Sequence, residues 1–224
     1  WINLMNIELK KRIFTSIILL SLLILMCFYS FIMITSSIII AVIVWVEFYA
    51  MISKIILGNT FKDKSIRFLN KAVSLLYLLV IIYFLFAIES NYQHLKVYLL
   101  YSVLVSILSD IGGLVFGKTF KGKKLTKISP NKTISGSIGS FIFSLILLPL
   151  FYEELISYNL FSLFIITIII SLTSQLGDLF ISYLKRKAKV KDTSNILPGH
   201  GGFLDRIDGM IFAAPTGILL FNFF

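Results

Sequence analysis

The sequence predicts an all-α fold integral to a membrane, a single polytopic helical bundle over residues 1–224 with about seven transmembrane helices. Three observations carry that reading. Of the 224 residues, 58% are hydrophobic and only 14% charged, with a mean hydropathy of +0.93. A soluble domain of this size could not bury so much apolar surface. Apolar runs of about 20 residues, the length a helix needs to cross the hydrocarbon core, recur along the chain. The connections between them alternate between basic and non-basic, as a chain threaded through a bilayer requires.

The runs lie near 13–30, 34–53, 71–88, 95–117, 135–152, 159–182 and 207–223. The first two are nearly fused, because no charge appears between Arg12 and Glu47. Lys10, Lys11 and Arg12 precede the first run, and Lys54, Lys62, Lys64, Arg67 and Lys71 follow the second. Lys118, Lys121, Lys123, Lys124, Lys127 and Lys132 follow the fourth; Lys185, Arg186, Lys187, Lys189, Lys191 and Arg206 follow the sixth. The remaining connections hold only Lys96, against Glu89, Glu153 and Glu154. The expectation is a cytoplasmic N-terminus, an external C-terminus and an odd number of spans. The net charge of +10 then faces anionic lipid head groups, and nucleic-acid binding is not indicated.

Cys27 is the single cysteine, so no intrachain disulfide can form. The stretch 13–33 is long for a signal-peptide core and no small-residue cleavage site follows; Trp1 is not an initiator residue, which leaves the native start open. Glu47, followed by Phe48 and Tyr49, interrupts the second run and reads first as a helix-end carboxylate near the cytoplasmic surface. His94 falls in an expected external loop.

Two runs carry polar stripes. In the fourth, Ser102, Ser106, Ser109, Asp110, Gly113 and Gly117 share one helical face. Small residues at such spacing let helices approach closely, which accounts for the serines and glycines but not for Asp110. In the sixth, Ser171, Ser174, Gln175, Asp178, Ser182, Lys185, Arg186 and Lys189 recur at three- and four-residue steps. A carboxylate at the depth of Asp178 is costly unless it faces a protein interior or a water-filled cavity. Beyond that helix, Pro198-Gly199-His200-Gly201-Gly202 forms an N–H-rich turn, and Asp205-Arg206-Ile207-Asp208 stands at the mouth of the last run. The separated carboxylates Asp178, Asp205 and Asp208, beside Lys185, Arg186, Lys191 and Arg206, suit a hard cation such as Mg²⁺ that shares its oxygen ligands with phosphates. Cationic side chains and glycine amides would hold the remaining phosphate charge. The plainer reading is a basic loop between membrane helices, whose carboxylates merely offset its charge.

The run Ser182-x-Leu184-Lys185-Arg186-x4-Lys191-Asp192-x-Ser194-x2-Leu197-Pro198-x-His200-Gly201-Gly202-Phe203-x-Asp205-Arg206-Ile207-Asp208 resembles the signature of the phosphatidate cytidylyltransferases, the CDP-diacylglycerol synthases. The earlier order of Asp110, a glycine-basic stretch and Ser129-Pro130-Asn131-Lys132-Thr133 is similar to the same family. Resemblance is concentrated in 110–136 and 174–209. Two positions depart from it: Ser135 and Ile181 stand where a glutamate is expected. The chain is also short for bacterial members, with fewer apolar runs before Asp110.

The resemblance implies a polar funnel open to the cytoplasm in a multi-pass protein of the cell (inner) membrane. It implies transfer of CMP from CTP to phosphatidic acid, giving CDP-diacylglycerol and pyrophosphate for phospholipid biosynthesis. Asp178 and Asp205 would hold Mg²⁺, and a second, monovalent cation such as K⁺ could share them; Asp208 is a further ligand or an orienter of Arg206. Lys132, with the hydroxyls of Ser129 and Thr133, would cradle phosphate, although Thr133 or Ser135 also suits a helix N-cap. Lys185, Arg186, Lys191 and Arg206 fall to the phosphates of CTP or lipid, with Asp110, Ser182, Gly201 and Gly202 at the substrate. His200 would move a proton or bond a phosphate. A homodimer is left open. Two alternatives remain: a CTP-dependent polyprenol- or phytol-type lipid kinase, and a non-catalytic protein that binds or transports anionic lipid.

Overall fold

The computed structural model describes residues 2–91, 94–126, 129, 132–155 and 158–223, the side chains at 2–8, 27, 87–91 and 94 excepted. Of the residues singled out above, Trp1, Lys127, Pro130, Asn131 and the side chains of Cys27, Glu89 and His94 lie outside the described residues. Each of the seven apolar runs is largely helical, the fifth as two helices. In chain order they are α1 (Ile2–Phe28), α2 (Ser30–Ile55), α3 (Phe61–Asn91), α4 (His94–Phe120), α5 (Ile134–Leu145), α6 (Leu147–Phe151), α7 (Leu160–Lys187), α8 (Leu204–Ile207) and α9 (Met210–Phe223). Among the described residues there is no strand, only the isolated bridges Lys124–Thr133 and Leu197–Gly201. Five segments among the described residues are long and apolar enough to cross a membrane: Ser30–Ile55, Phe61–Phe86, Leu95–Phe120, Ile134–Phe151 and Leu160–Lys187. Met210–Phe223 is apolar but shorter, at 14 residues. The protein is thus an all-α polytopic membrane protein.

Local chemistry sets the boundaries. Tyr29 alone separates α1 from α2, in an extended conformation with φ −122° and ψ 107°. Helix α3 starts before the apolar run near 71, because Thr60 and Asp63 cap it reciprocally: the Thr60 amide donates to Asp63 Oδ2 and the Asp63 amide to Thr60 Oγ1, both at 3.2 Å. Thr133 caps α5, its hydroxyl accepting the Gly136 amide at 3.1 Å. At the end of α7, Lys189 takes φ 55°, its amide bonds Arg186 O at 3.1 Å, and the Val190 amide bonds Lys185 O at 3.0 Å. That pairing closes a helix with a left-handed residue and satisfies its last carbonyls.

The chain falls into two compact units, residues 1–90 with 184–206, and residues 91–183 with 207–224. In the first, α1 packs on α2. Helices α2 and α3 are joined by Lys71, whose Nζ lies 5.0 Å from the Trp45 ring centroid and 4.8 Å from that of Tyr49, a cation–π arrangement. The Trp45 indole donates to Lys71 O at 3.2 Å, and Arg67 Nη1 to Ile56 O, past the end of α2, at 2.9 Å. Helix α3 leaves Phe68, Leu76, Leu79 and Tyr83 exposed, the composition of a lipid-facing surface.

In the second unit, α4 packs on α5 and α9. Tyr101, Leu163, Ile166, Ile170 and Ala213 are wholly buried there. Tyr101 pairs its hydroxyl with Thr167 Oγ1 at 2.6 Å. The α4 stripe points inward as its spacing predicts: Ser102, Ser106 and Ser109 have no exposed surface. Ser106 bonds Ser174 at 2.7 Å, Ser171 donates to Ser109 Oγ at 3.1 Å, and Ser140 donates to Ser109 O at 2.7 Å. Gly112 allows α4 and α5 to touch through their backbones; a Cβ there would lie 2.6 Å from Phe143 Cβ. Bonds of this kind average about 0.6 kcal/mol between membrane helices, so they fix register while close packing supplies most of the attraction.

Candidate functional site

Within the first unit, the segment following α7 is held by two buried carboxylates. Leu197 to His200 form a turn closed by the His200 amide on Leu197 O at 2.9 Å, with Pro198 second and Gly199, at φ 76°, third. That is the arrangement a type II turn demands of proline and glycine. Asp205 is the first carboxylate, its side chain 5% exposed. Its Oδ1 accepts Lys185 Nζ at 2.7 Å. Its Oδ2 accepts the Thr193 amide at 2.8 Å, the Thr193 hydroxyl at 3.0 Å and the Gly202 amide at 3.1 Å. Burial pushes the Asp205 carboxyl up, but the Lys185 ammonium and the Thr193 and Gly202 amides together outweigh it, and the group sits below the usual carboxylate range.

Glu47 is the second carboxylate, 2% exposed and carried by α2. It accepts Ser194 Oγ at 2.5 Å and the Phe203 amide at 3.1 Å on Oε1 and the Leu204 amide at 2.8 Å on Oε2, and the Thr193 hydroxyl, 3.1 Å from Oε2, shares its one proton between Glu47 and Asp205. The helix-end reading given to this residue on sequence understates it. Its depth in an apolar run was the available signal; what escaped the sequence was that donors about 150 residues downstream converge on it. Thr193, which the sequence reading also missed, touches both carboxylates.

The turn also anchors to α1. His200 Nδ1 lies 2.6 Å from Thr15 Oγ1 and Nε2 lies 3.3 Å from Ser16 Oγ. Burial lowers the His200 pKa, and the Arg206 and Arg12 charges lower it further against the opposing Pro198 carbonyl. Arg206 reaches back to His200 O through Nε at 3.1 Å and Nη2 at 2.5 Å, and is itself exposed, as are Arg186 and Lys191.

Within the second unit, Lys132 is ion-paired with Asp178 Oδ2, and Ser182 donates to Asp178 Oδ1 at 3.3 Å. The pair keeps about a quarter of its surface, 26% and 25%, so the lysine can exchange its partner. Asp110 lies within electrostatic reach of both Asp178 and Lys132. The Lys132 backbone is fixed by its carbonyl on the Leu125 amide at 2.8 Å and its amide on Ser129 O at 3.1 Å. Thr133 is the cap of α5, and its hydroxyl lies 3.0 Å from Ser135 Oγ. Ser135 in turn donates to Lys121 O, a bond that a glutamate would not make. Ile181 is 2% exposed and packs as an apolar residue, where a glutamate would need partners for its charge. Asp208, buried, accepts the Gly209 amide at 2.9 Å.

The donor set fits a divalent cation. Among the described residues no group of three or more His, Cys, Asp or Glu side chains could hold a metal by itself. Mg²⁺ does not need one, because it commonly takes one or two carboxylates and completes its shell with water and substrate phosphate. Among the described residues, Asp110 and Asp178 are two carboxylates within electrostatic reach of each other and of Lys132. Asp205 Oδ1 accepts only Lys185 among the described residues, and a carboxylate oxygen has a second lone pair.

The chain matches the cytidylyltransferase family over residues 1–224. It is 45% identical over 135 residues to a phosphatidate cytidylyltransferase of Staphylococcus haemolyticus, covering 59% of this chain and 50% of that one. To the proteins of that name from Staphylococcus saprophyticus and Staphylococcus aureus strain COL it is 42% identical over 168 and 167 residues, 73% of this chain and 64% of each relative. The chain therefore spans between half and two thirds of the length of these curated relatives. By the match along its whole length, this chain belongs to the cytidylyltransferase family.

Proposed function

We propose that the chain carries the active site of a phosphatidate cytidylyltransferase at the cytoplasmic face of the cell membrane. A phosphate oxygen of phosphatidic acid attacks the α-phosphorus of CTP, the bond from that phosphorus to the β-bridging oxygen breaks, and pyrophosphate leaves with the electron pair. CMP is thereby joined to the lipid as CDP-diacylglycerol. The relatives' names support the substrate class.

The observation that carries the reading is Lys185, fixed by buried Asp205 at 2.7 Å in a segment that also presents Arg186, Lys191 and Arg206 to solvent. Phosphoryl transfers need little covalent help, and charge placed in advance where it develops supplies much of the rate. Lys185 cannot swing away while Asp205 holds it, so it meets a phosphate without reorganising. Arg206, tied to His200 O by Nε and Nη2, keeps the rest of its guanidinium for a second phosphate. Lys132, about a quarter exposed in its pair with Asp178, is placed to meet a phosphate, and Asp178 would then be open to a cation. Asp178 in the second unit, with Asp110 beside it, and Asp205 in the first are each proposed as a carboxylate ligand for Mg²⁺, and the ion would supply charge neutralisation on the departing pyrophosphate.

Membranes carrying the chain, given CTP, Mg²⁺ and phosphatidic acid, should release pyrophosphate only when the lipid is present, and in step with a cytidine-containing lipid. Release of CDP with a newly phosphorylated lipid would instead assign a lipid kinase.

A further inference from the structure

We propose that Glu47 is a positioning residue for this reaction: acting through Thr193 and the segment 202–204, it holds Asp205 and therefore Lys185 in their working geometry. The inference rests on the cytidylyltransferase reading and deepens it. Three donors on one carboxylate, with the shared Thr193 hydroxyl as a fourth contact, surround both of its oxygens. All four contacts come from residues adjoining or contacting the Asp205 shell. Thr193 Oγ1 stands 3.1 Å from Glu47 and 3.0 Å from Asp205, while the Thr193 amide donates to Asp205. The Phe203 and Leu204 amides on Glu47 directly follow Gly202, whose amide donates to Asp205. Glu47, Thr193, Asp205 and Lys185 therefore form one continuous chain of contacts.

Space around Gly202 shows how tightly the two carboxylates are joined. A Cβ at Gly202 would lie 2.7 and 2.8 Å from the Glu47 oxygens and closer still to the Thr193 hydroxyl. Only a glycine lets the backbone pass there. A group that merely closed a helix end would not need donors from two separate stretches, 193–194 and 203–204, that also supply the Asp205 shell. The arrangement is that of an outer carboxylate that orients an inner one, a role whose loss commonly costs about 10- to 100-fold in activity or affinity.

Glu47→Gln separates the possibilities. The amide keeps the size of the side chain but turns one acceptor oxygen into a donor, facing donors already there. With wild type and variant assayed in the same membranes with α-labelled CTP, turnover at saturating CTP should fall about 10- to 100-fold. The KM for CTP should change little, because the damage is to charge placed for the transition state. Backbone hydrogen exchange across 192–204 should rise while the protein still elutes as one species. Adding Ser194→Ala, which removes a hydroxyl that among the described residues donates to no carboxylate but Glu47, should cost nothing further. Wild-type turnover in Glu47→Gln, or fully additive losses in the double variant, would overturn the inference. If Glu47→Gln does not fold, Ser194→Ala alone decides: reduced turnover at unchanged KM supports it and unchanged turnover overturns it. Absence of α-label in lipid with the wild-type protein is a separate outcome, which removes the cytidylyltransferase reading itself.

Discussion

Asp205 and His200 make opposite demands on the same loop. Asp205 is tied as a carboxylate to Lys185, whereas burial and the Arg206 charge disfavour the cationic form of His200 beside the hydroxyls of α1. Both pKa values are lowered, and the sign of the consequence is the same. Between the lowered value and the ordinary one the unfolded chain binds the extra proton, so stability falls as pH drops through that interval. For His200 the interval lies below 6.5 and for Asp205 below 3.8. Thermal unfolding in detergent should therefore show a melting temperature that declines from about pH 7 to about pH 5, and His200→Gln should flatten that decline. A slope unchanged by the substitution would place the titration elsewhere. At Asp205 the expected loss is of function: Asp205→Asn, isosteric but uncharged, should lower turnover by about 10²- to 10³-fold, with intact elution and partial rescue by added Mg²⁺. Near-normal turnover would remove Asp205 from the site. The charge cluster around Asp205 was legible in the sequence because residue types and order suffice for it. Glu47 was not, because hydrophobic periodicity marks an anomalous carboxylate without saying which distant amides satisfy it.

Among the elements, the helices were the most legible part. Apolar length is a property of the sequence alone, and the stripe of Ser102, Ser106 and Ser109 foretold the buried face of α4. Boundaries set by polar capping were less visible: α3 begins at Phe61 through Thr60 and Asp63, and α7 runs on to Lys187 because Lys185 to Lys187 suit the negative end of a helix. The α4–α5 contact gives the test at this scale. Gly112→Ala would bring a Cβ to 2.6 Å from Phe143 Cβ and nearer still to Gly139 O, so the helices must separate. Overpacking of this kind costs about 1–3 kcal/mol, and the melting temperature in detergent should fall by several degrees. An unchanged melting temperature would show that the contact is looser than its geometry.

For the whole molecule, the alternation of basic and non-basic connections predicts which side each loop faces. With Cys27 removed, a cysteine at Lys123 or Lys189 should react with an impermeant thiol reagent only after the cytoplasmic side is opened, and one at Glu153 from outside. Reaction of all three from one side would refute the orientation and with it the cytoplasmic access of CTP. The central claim, transfer of CMP to lipid phosphate, is tested most directly by the fate of label from CTP. Membranes carrying the chain receive phosphatidic acid, Mg²⁺ and CTP labelled at either the α- or the γ-phosphate. The account predicts α-label in the lipid and γ-label in free pyrophosphate; γ-label in the lipid, with α-label left in free CDP, would contradict it.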